Sequence, residues 1–187
     1  MRVGIAGGIG SGKSFVAKRL ALRGIEVYDC DAAAKRLMRT SPELRRQLIA
    51  LIGPDAYDGD QLNKSVVSRF LLASEDNQYA LNAIVHPAVF DDFIASGQQW
   101  MESAIMYESG ADRYVDRVIV VTAPLEVRLE RIMRRDAISR AQALQWIGCQ
   151  WPQEDVRQKA DYEIVNDGHA HIDEQINYII EKLSNNK

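Results

Sequence analysis

Residues 3–18 read VGIAGGIGSGKSFVAK, a short apolar run, a glycine-rich break and the start of an amphipathic segment. The break contains Gly7-x-x-x-x-Gly12-Lys13-Ser14. Without Cβ atoms at positions 7, 8, 10 and 12, the chain can turn several backbone N–H groups toward one set of phosphate oxygens. A helix starting directly afterwards adds the positive end of its dipole. Gly8, Ile9, Gly10, Ser11, Gly12, Lys13, Ser14 and Phe15 are therefore the expected contacts to a nucleoside triphosphate. Lys13 would reach the β- and γ-phosphates, and the Ser14 hydroxyl would ligate Mg²⁺. The alternative is a glycine-rich turn beside an unrelated lysine. It requires four specified positions to coincide, two of them glycine at about 7% usage, between a buried-type strand and a helix.

Composition sets outer bounds. The 187 residues are enough for one domain with a substantial core. A net charge of -3 argues against general binding to nucleic acid or an anionic membrane. Cys30 and Cys149 lack metal-ligand spacing and read as reduced thiols. The first strand begins at once, without the pattern of a signal peptide, and no run of about eighteen apolar residues exists. These features lead us to expect a cytoplasmic protein with no obligate protein partner.

Outward from the loop, a helix over 15–22 ends at Gly24, and a strand over 25–29 leads into Asp29-Cys30-Asp31 and the helix former AAAKRLM. Asp31 has two readings: a helix N-cap, or a carboxylate at the C-terminal edge of a parallel strand, where α/β sheets present their ligands. Residues 41–97 read as helical throughout, with a loop at 55–61 and no strand signal. His86-Pro87 is expected to interrupt a helix there, because the residue before proline is pushed from helical geometry. A lone histidine at a helix boundary is usually structural, so His86 by itself is weak evidence of function. A third strand is expected over 100–108, with Ile105, Met106 and Tyr107 buried and Glu108 at its end. Residues 116–124 (DRVIVVTAP) form the clearest central strand.

The helix over 125–135 carries Arg128, Arg131, Arg134 and Arg135, of which 128, 131 and 135 share a face. Such a run is either a solvated face or, one helix after a strand edge, a set of forks for transferring phosphates. Short helices over 139–150 and 153–159 extend it into a candidate lid that would exclude water, a competing acceptor. A strand over 162–165 and an amphipathic helix over 172–183 complete the chain.

Five strands separated by helices and opening on a phosphate loop predict an α/β P-loop kinase fold. Its five-stranded parallel sheet would be flanked by helices, with a helical insertion and a lid segment. The expected organisation is one domain over 1–187: a core of about 1–40, 98–130 and 160–187, an acceptor-binding insertion of about 41–97, and a lid of about 131–159. A missing Asn-Lys-x-Asp motif counts against a GTPase. No strand ends in the apolar run plus Asp-Glu of motor ATPases. Another small-molecule kinase or a slow regulatory ATPase stays compatible with the loop alone.

The ordered combination is more selective. Gly7–Ser14, Asp29-Cys30-Asp31, His86-Pro87, Glu108, Arg134-Arg135-Asp136, Gln150, and Ala160-Asp161 leading to Asn166 together resemble the dephospho-CoA kinase family from end to end. The resemblance implies transfer of the γ-phosphoryl group of ATP to the ribose 3′-hydroxyl of dephospho-CoA, with Mg²⁺. It implies that Asp31 orients or deprotonates that hydroxyl, that lid arginines such as Arg135 stabilise transferred charge, and that Asn166 lies near adenine. His86, Glu108 and Lys64 would lie on the acceptor side. Three positions depart from the family. Lys64 follows Leu62-Asn63 where an arginine is usual, keeping charge but losing the fork. Ala104-Ile105-Met106-Tyr107 replaces a proline and paired leucines, and Phe15 replaces the commoner threonine.

Overall fold

The computed structural model describes residues 1–185. The first apolar run is β1 (Val3–Ala6), and the glycine break leads into α1 (Lys13–Ala21). Then come β2 (Val27–Asp29), α2 (Cys30–Thr40), α3 (Pro42–Ile52), β3 (Tyr57–Asp58), β4 (Gln61–Leu62), α4 (Lys64–Ala73) and α5 (Glu75–Ser96). The rest forms β5 (Trp100–Glu102), β6 (Arg117–Thr122), α6 (Leu125–Asp136), α7 (Arg140–Gly148), α8 (Gln153–Lys159), β7 (Tyr162–Val165) and α9 (Ile172–Asn185). The chain divides into two compact units, one of Met1–Tyr28 with Gln98 onward and one of Asp29–Gly97.

The first unit is built on a five-stranded sheet in the order β2-β5-β1-β6-β7. β1 runs parallel to both β5 and β6, and β6 parallel to β7. Every residue of β1, and all of β6 after Arg117, is buried, as a strand covered on both faces requires. Val16 and Leu20 of α1 and Ile176, Ile179 and Leu183 of α9 lie at helical spacing. They meet Val3, Ile5, Ile119, Val121 and Ile164 of the sheet in one apolar cluster. Arg19 of α1 and Arg23 in the turn after it both pair with Asp173, fastening α9 to α1 at the surface.

The strand expected over 100–108 stops at Glu102, where it turns over residues 103–110. The Ser103 N–H still donates to the Ile5 carbonyl at 3.0 Å, but its hydroxyl accepts the Ile105 N–H at 3.2 Å and bends the chain out of the ladder. Of the three residues expected inside, only Met106 is buried. Its side chain fills the space beside Gly4, where a Cβ would lie 2.8 Å from the Met106 methyl carbon.

The second unit departs from the expected reading in two places. Tyr57↔Leu62 and Asp58↔Gln61 pair as a small antiparallel hairpin whose turn uses Gly59. Asp58-Gly59 is a hairpin signal, and the strands are too short to show alternation. The second departure is α5, which runs unbroken through Pro87. Leu81, Val85, Val89 and Phe93 recur every fourth residue and are all buried, with Phe90 beside them. That continuous stripe outweighs the cost of about 3 kcal/mol for an interior proline. Pro87 itself faces outward.

His86 is half-buried on this helix, its ring 6.1 Å from that of Phe90. Burial pulls its pKa below the ordinary 6.5, and the nearby Asp31 carboxylate offsets part of that shift. The unfolded chain therefore takes up the proton first as pH falls. Stability contributed by neutral His86 is complete above 6.5 and declines as pH drops through the depressed folded value. Denaturant midpoints measured across this range should fall toward acid in the wild type and fall less steeply in His86→Gln.

Candidate active site

The residues after β1 build the site. Gly12, at φ 97°, is the N-cap of α1, a left-handed conformation that a side chain resists. No side chain caps this helix and no acidic residue occupies its first turn. The Gly10, Gly12 and Ser14 N–H groups make no hydrogen bond to the described residues, so they are available to an anion at the positive end of the helix.

The loop owes its shape to bonds on its outer side. The Arg128 Nε donates to the Ile9 carbonyl at 2.9 Å. Arg131 Nη1 donates to the carbonyls of Gly10 at 3.3 Å and Ser11 at 3.2 Å. Asn166 Nδ2 donates to the Ser11 carbonyl at 2.8 Å, while its Oδ1 accepts from Arg131 Nη2 at 3.2 Å. In a trans peptide the carbonyl and the following N–H point opposite ways. Holding the Ile9 and Ser11 carbonyls outward therefore turns the Gly10 and Gly12 N–H groups inward. Lys13 Nζ reaches back over the loop to the Gly7 carbonyl at 2.7 Å. Ser11 is buried, and its hydroxyl has no hydrogen-bond partner among the described residues.

The α7–α8 linker reaches the same region. Gln150 Oε1 accepts the Ile9 N–H at 2.7 Å, and its Nε2 donates to the Ala104 carbonyl at 3.3 Å. The Trp151 N–H donates to Glu108 at 2.9 Å, and the Gln153 side chain accepts the Ala123 N–H at 3.1 Å. The Trp151 ring stacks on Tyr107 with centroids 6.2 Å apart, and the Lys159 ammonium lies 5.3 Å and 5.4 Å from the two rings. Burial, then the carboxylates of Asp112 and Asp161, push the Tyr107 hydroxyl up to about 12.

The structure thus brings Gly8, Ile9, Gly10, Ser11, Gly12, Lys13 and Asn166 together. Ser14 is exposed in the first turn of α1. The Phe15 N–H is taken by the Gly12 carbonyl at 3.0 Å, and its exposed ring lies 5.6 Å from the Arg19 guanidinium. Glu108 sits in the turn after β5 and binds the α7–α8 linker. Arg135 does not join the loop: it is 60% exposed and forks onto Asp136 at 2.7 Å. Its helix reaches the loop through Arg128 and Arg131. Arg128 is 5% exposed, and burial lowers its pKa.

Asp31, His86 and Lys64 belong to the second unit. Asp29, not Asp31, caps α2, its carboxylate accepting the Ala32 N–H at 2.9 Å. Asp31 is exposed in the first helical turn and close enough to His86 to offset part of the lowering that burial imposes on that residue's pKa. Lys64 is exposed at the first position of α4, behind the cap Asn63. The motif did not identify Arg128, Arg131 and Gln150 as loop-bracing residues. Their partners are distant in sequence, and only the shared face of the arginines hinted at a common target.

Comparison with known proteins agrees with this geometry. The family model described as dephospho-CoA kinase matches residues 1–171. The dephospho-CoA kinase of Bacteroides fragilis strain YCH46 is 38% identical over 94% of this chain and 89% of that protein. The solved structure of TT1252 from Thermus thermophilus superposes with a TM-score of 0.85 at 30% identity, over 98% of this chain and 97% of that one. Dephospho-CoA kinase from Campylobacter jejuni shares the fold at a TM-score of 0.69 and 20% identity, over 99% and 98% of the two chains. The chain belongs to the dephospho-CoA kinase family.

Proposed function

We infer that the chain transfers a phosphoryl group from ATP to dephospho-CoA, the last step of coenzyme A synthesis. It is a kinase, and the acceptor atom is the ribose 3′-hydroxyl. The observation that carries the reading is the phosphate loop, its carbonyls held outward, at the uncapped start of α1 in a chain of this family.

Lys13 and the inward amides would hold the β- and γ-phosphates. Ser14 fits Mg²⁺, because it offers an exposed hard oxygen donor beside that cradle. Among the described residues no group of three or more His, Cys, Asp or Glu could form an all-protein metal cage. This suits an ion held largely by phosphates and water. When bound, Mg²⁺ would neutralise phosphate charge. Asn166 and Arg131, joined to each other and to the loop, would border the adenine end of ATP.

Asp31 would orient the acceptor hydroxyl or take its proton. Asp29 already fills the capping role, so the Asp31 carboxylate is not required there. Arg135 would stabilise charge on the transferred group, since its guanidinium is exposed whereas Arg128 and Arg131 are committed to loop carbonyls. His86, Glu108 and Lys64 would contribute to the acceptor side.

Incubation with ATP and Mg²⁺, with and without dephospho-CoA, should add the mass of one phosphate to dephospho-CoA only when the metal is present. ATP bound or hydrolysed without that product would refute the assignment. Asp31→Asn should bind ATP normally and lose about 10²–10⁴-fold in turnover. Lys13→Ala should instead weaken ATP binding itself, measured by calorimetry.

A further inference from the structure

We propose that Arg128 and Gln150 act as a pair of positioning residues that set the arc of the phosphate loop by holding the two peptide groups on either side of one residue. The proposal rests on the reading of residues 7–14 as the ATP phosphate site. Ile9 is the residue in question. Its N–H donates to Gln150 Oε1 at 2.7 Å, and its carbonyl accepts from Arg128 Nε at 2.9 Å.

The glycine between them and β1 shows how closely the parts fit. Gly8 does not have a positive φ, so its backbone alone does not demand glycine. A Cβ there would strike the Arg128 guanidinium and lie 3.2 Å from Gln150 Oε1. A Cβ on Gly10 would lie 2.7 Å from the Arg128 backbone carbonyl. Two of the loop's glycines thus give close approach to α6 and the α7–α8 linker. The loop and its brace are shaped as one surface.

Charge and connectivity extend the point. Arg128 is 5% exposed and forms no ion pair among the described residues. A cation this deeply placed is costly without compensation, and a triphosphate would supply negative charge close by. Gln150 also binds Ala104, while its neighbours Trp151 and Gln153 bind Glu108 and Ala123. The linker and the first residue of α8 therefore tie together the exits of three adjacent strands, β5, β1 and β6. The shape of the loop depends on where the linker lies.

The test uses the full-length enzyme and four variants, Gln150→Ala, Gln150→Glu, Arg128→Met and the double variant Gln150→Ala/Arg128→Met. Affinity for inorganic tripolyphosphate and for MgADP is read by calorimetry, and hydrogen exchange is followed in peptides covering residues 7–12. Neither readout needs the acceptor, so a failure to phosphorylate dephospho-CoA would leave this test intact. Gln150→Ala and Arg128→Met should each weaken both anions about tenfold and raise the KM for ATP, with the KM for dephospho-CoA unchanged. Exchange should quicken in the loop peptides while β6 peptides stay protected. Gln150→Glu keeps an acceptor for the Ile9 N–H and should retain slow loop exchange. Because both side chains fix the same residue through its two adjoining peptides, the double variant should lose less than the product of the single losses. Wild-type anion affinity and loop exchange in Gln150→Ala would overturn the proposal, as would a lowered melting temperature with neither change or fully multiplicative losses.

Discussion

A peptide group cannot point its carbonyl and the next N–H in the same direction, and the phosphate loop depends on this constraint. Inward amides require outward carbonyls, and a carbonyl turned into protein needs a donor. Arg128, Arg131 and Asn166 supply those donors from α6 and the end of β7. The fold can be understood as the means of delivering them. β6 is adjacent to β1, and β7 is adjacent to β6, so the segments leaving both strands come out beside the loop.

The same close approach explains residues with no chemical role. Gly4 admits Met106, which lets the chain after β5 leave the sheet early without exposing that side chain. Gly8 and Gly10 admit Arg128 and its backbone. Absence of a side chain at these positions is a packing requirement as much as a conformational one. In the second unit the balance runs the other way. There a four-residue repeat of buried side chains overrides the one residue least suited to a helix interior.

Much of the fold was legible in the sequence because its signals were local. The β1–loop–α1 motif, the β-branched run of β6 and the apolar stripe of α9 declare themselves within a single element. The misread places were those where a distant partner decides. The turn over 103–110 follows a single serine hydroxyl, α5 continues because its core accepts it, and the β3–β4 hairpin is too short for periodicity. At α2 the sequence offered Asp31 as the N-cap, and the backbone geometry gives that role to Asp29.

By itself, then, the sequence determined the chemistry on offer: a phosphate loop of the right spacing, an acidic residue after the second strand, and an ordered set of motifs shared with one kinase family. Motif spacing is a property of the chain and survives without coordinates. Only the tertiary structure decided which polar side chains meet the loop, since Ile9, Arg128 and Gln150 are separated by more than a hundred residues or by an entire helix. Hydrogen bonds are directional and short, so a charge run can announce arginines but only packing selects the ones that reach.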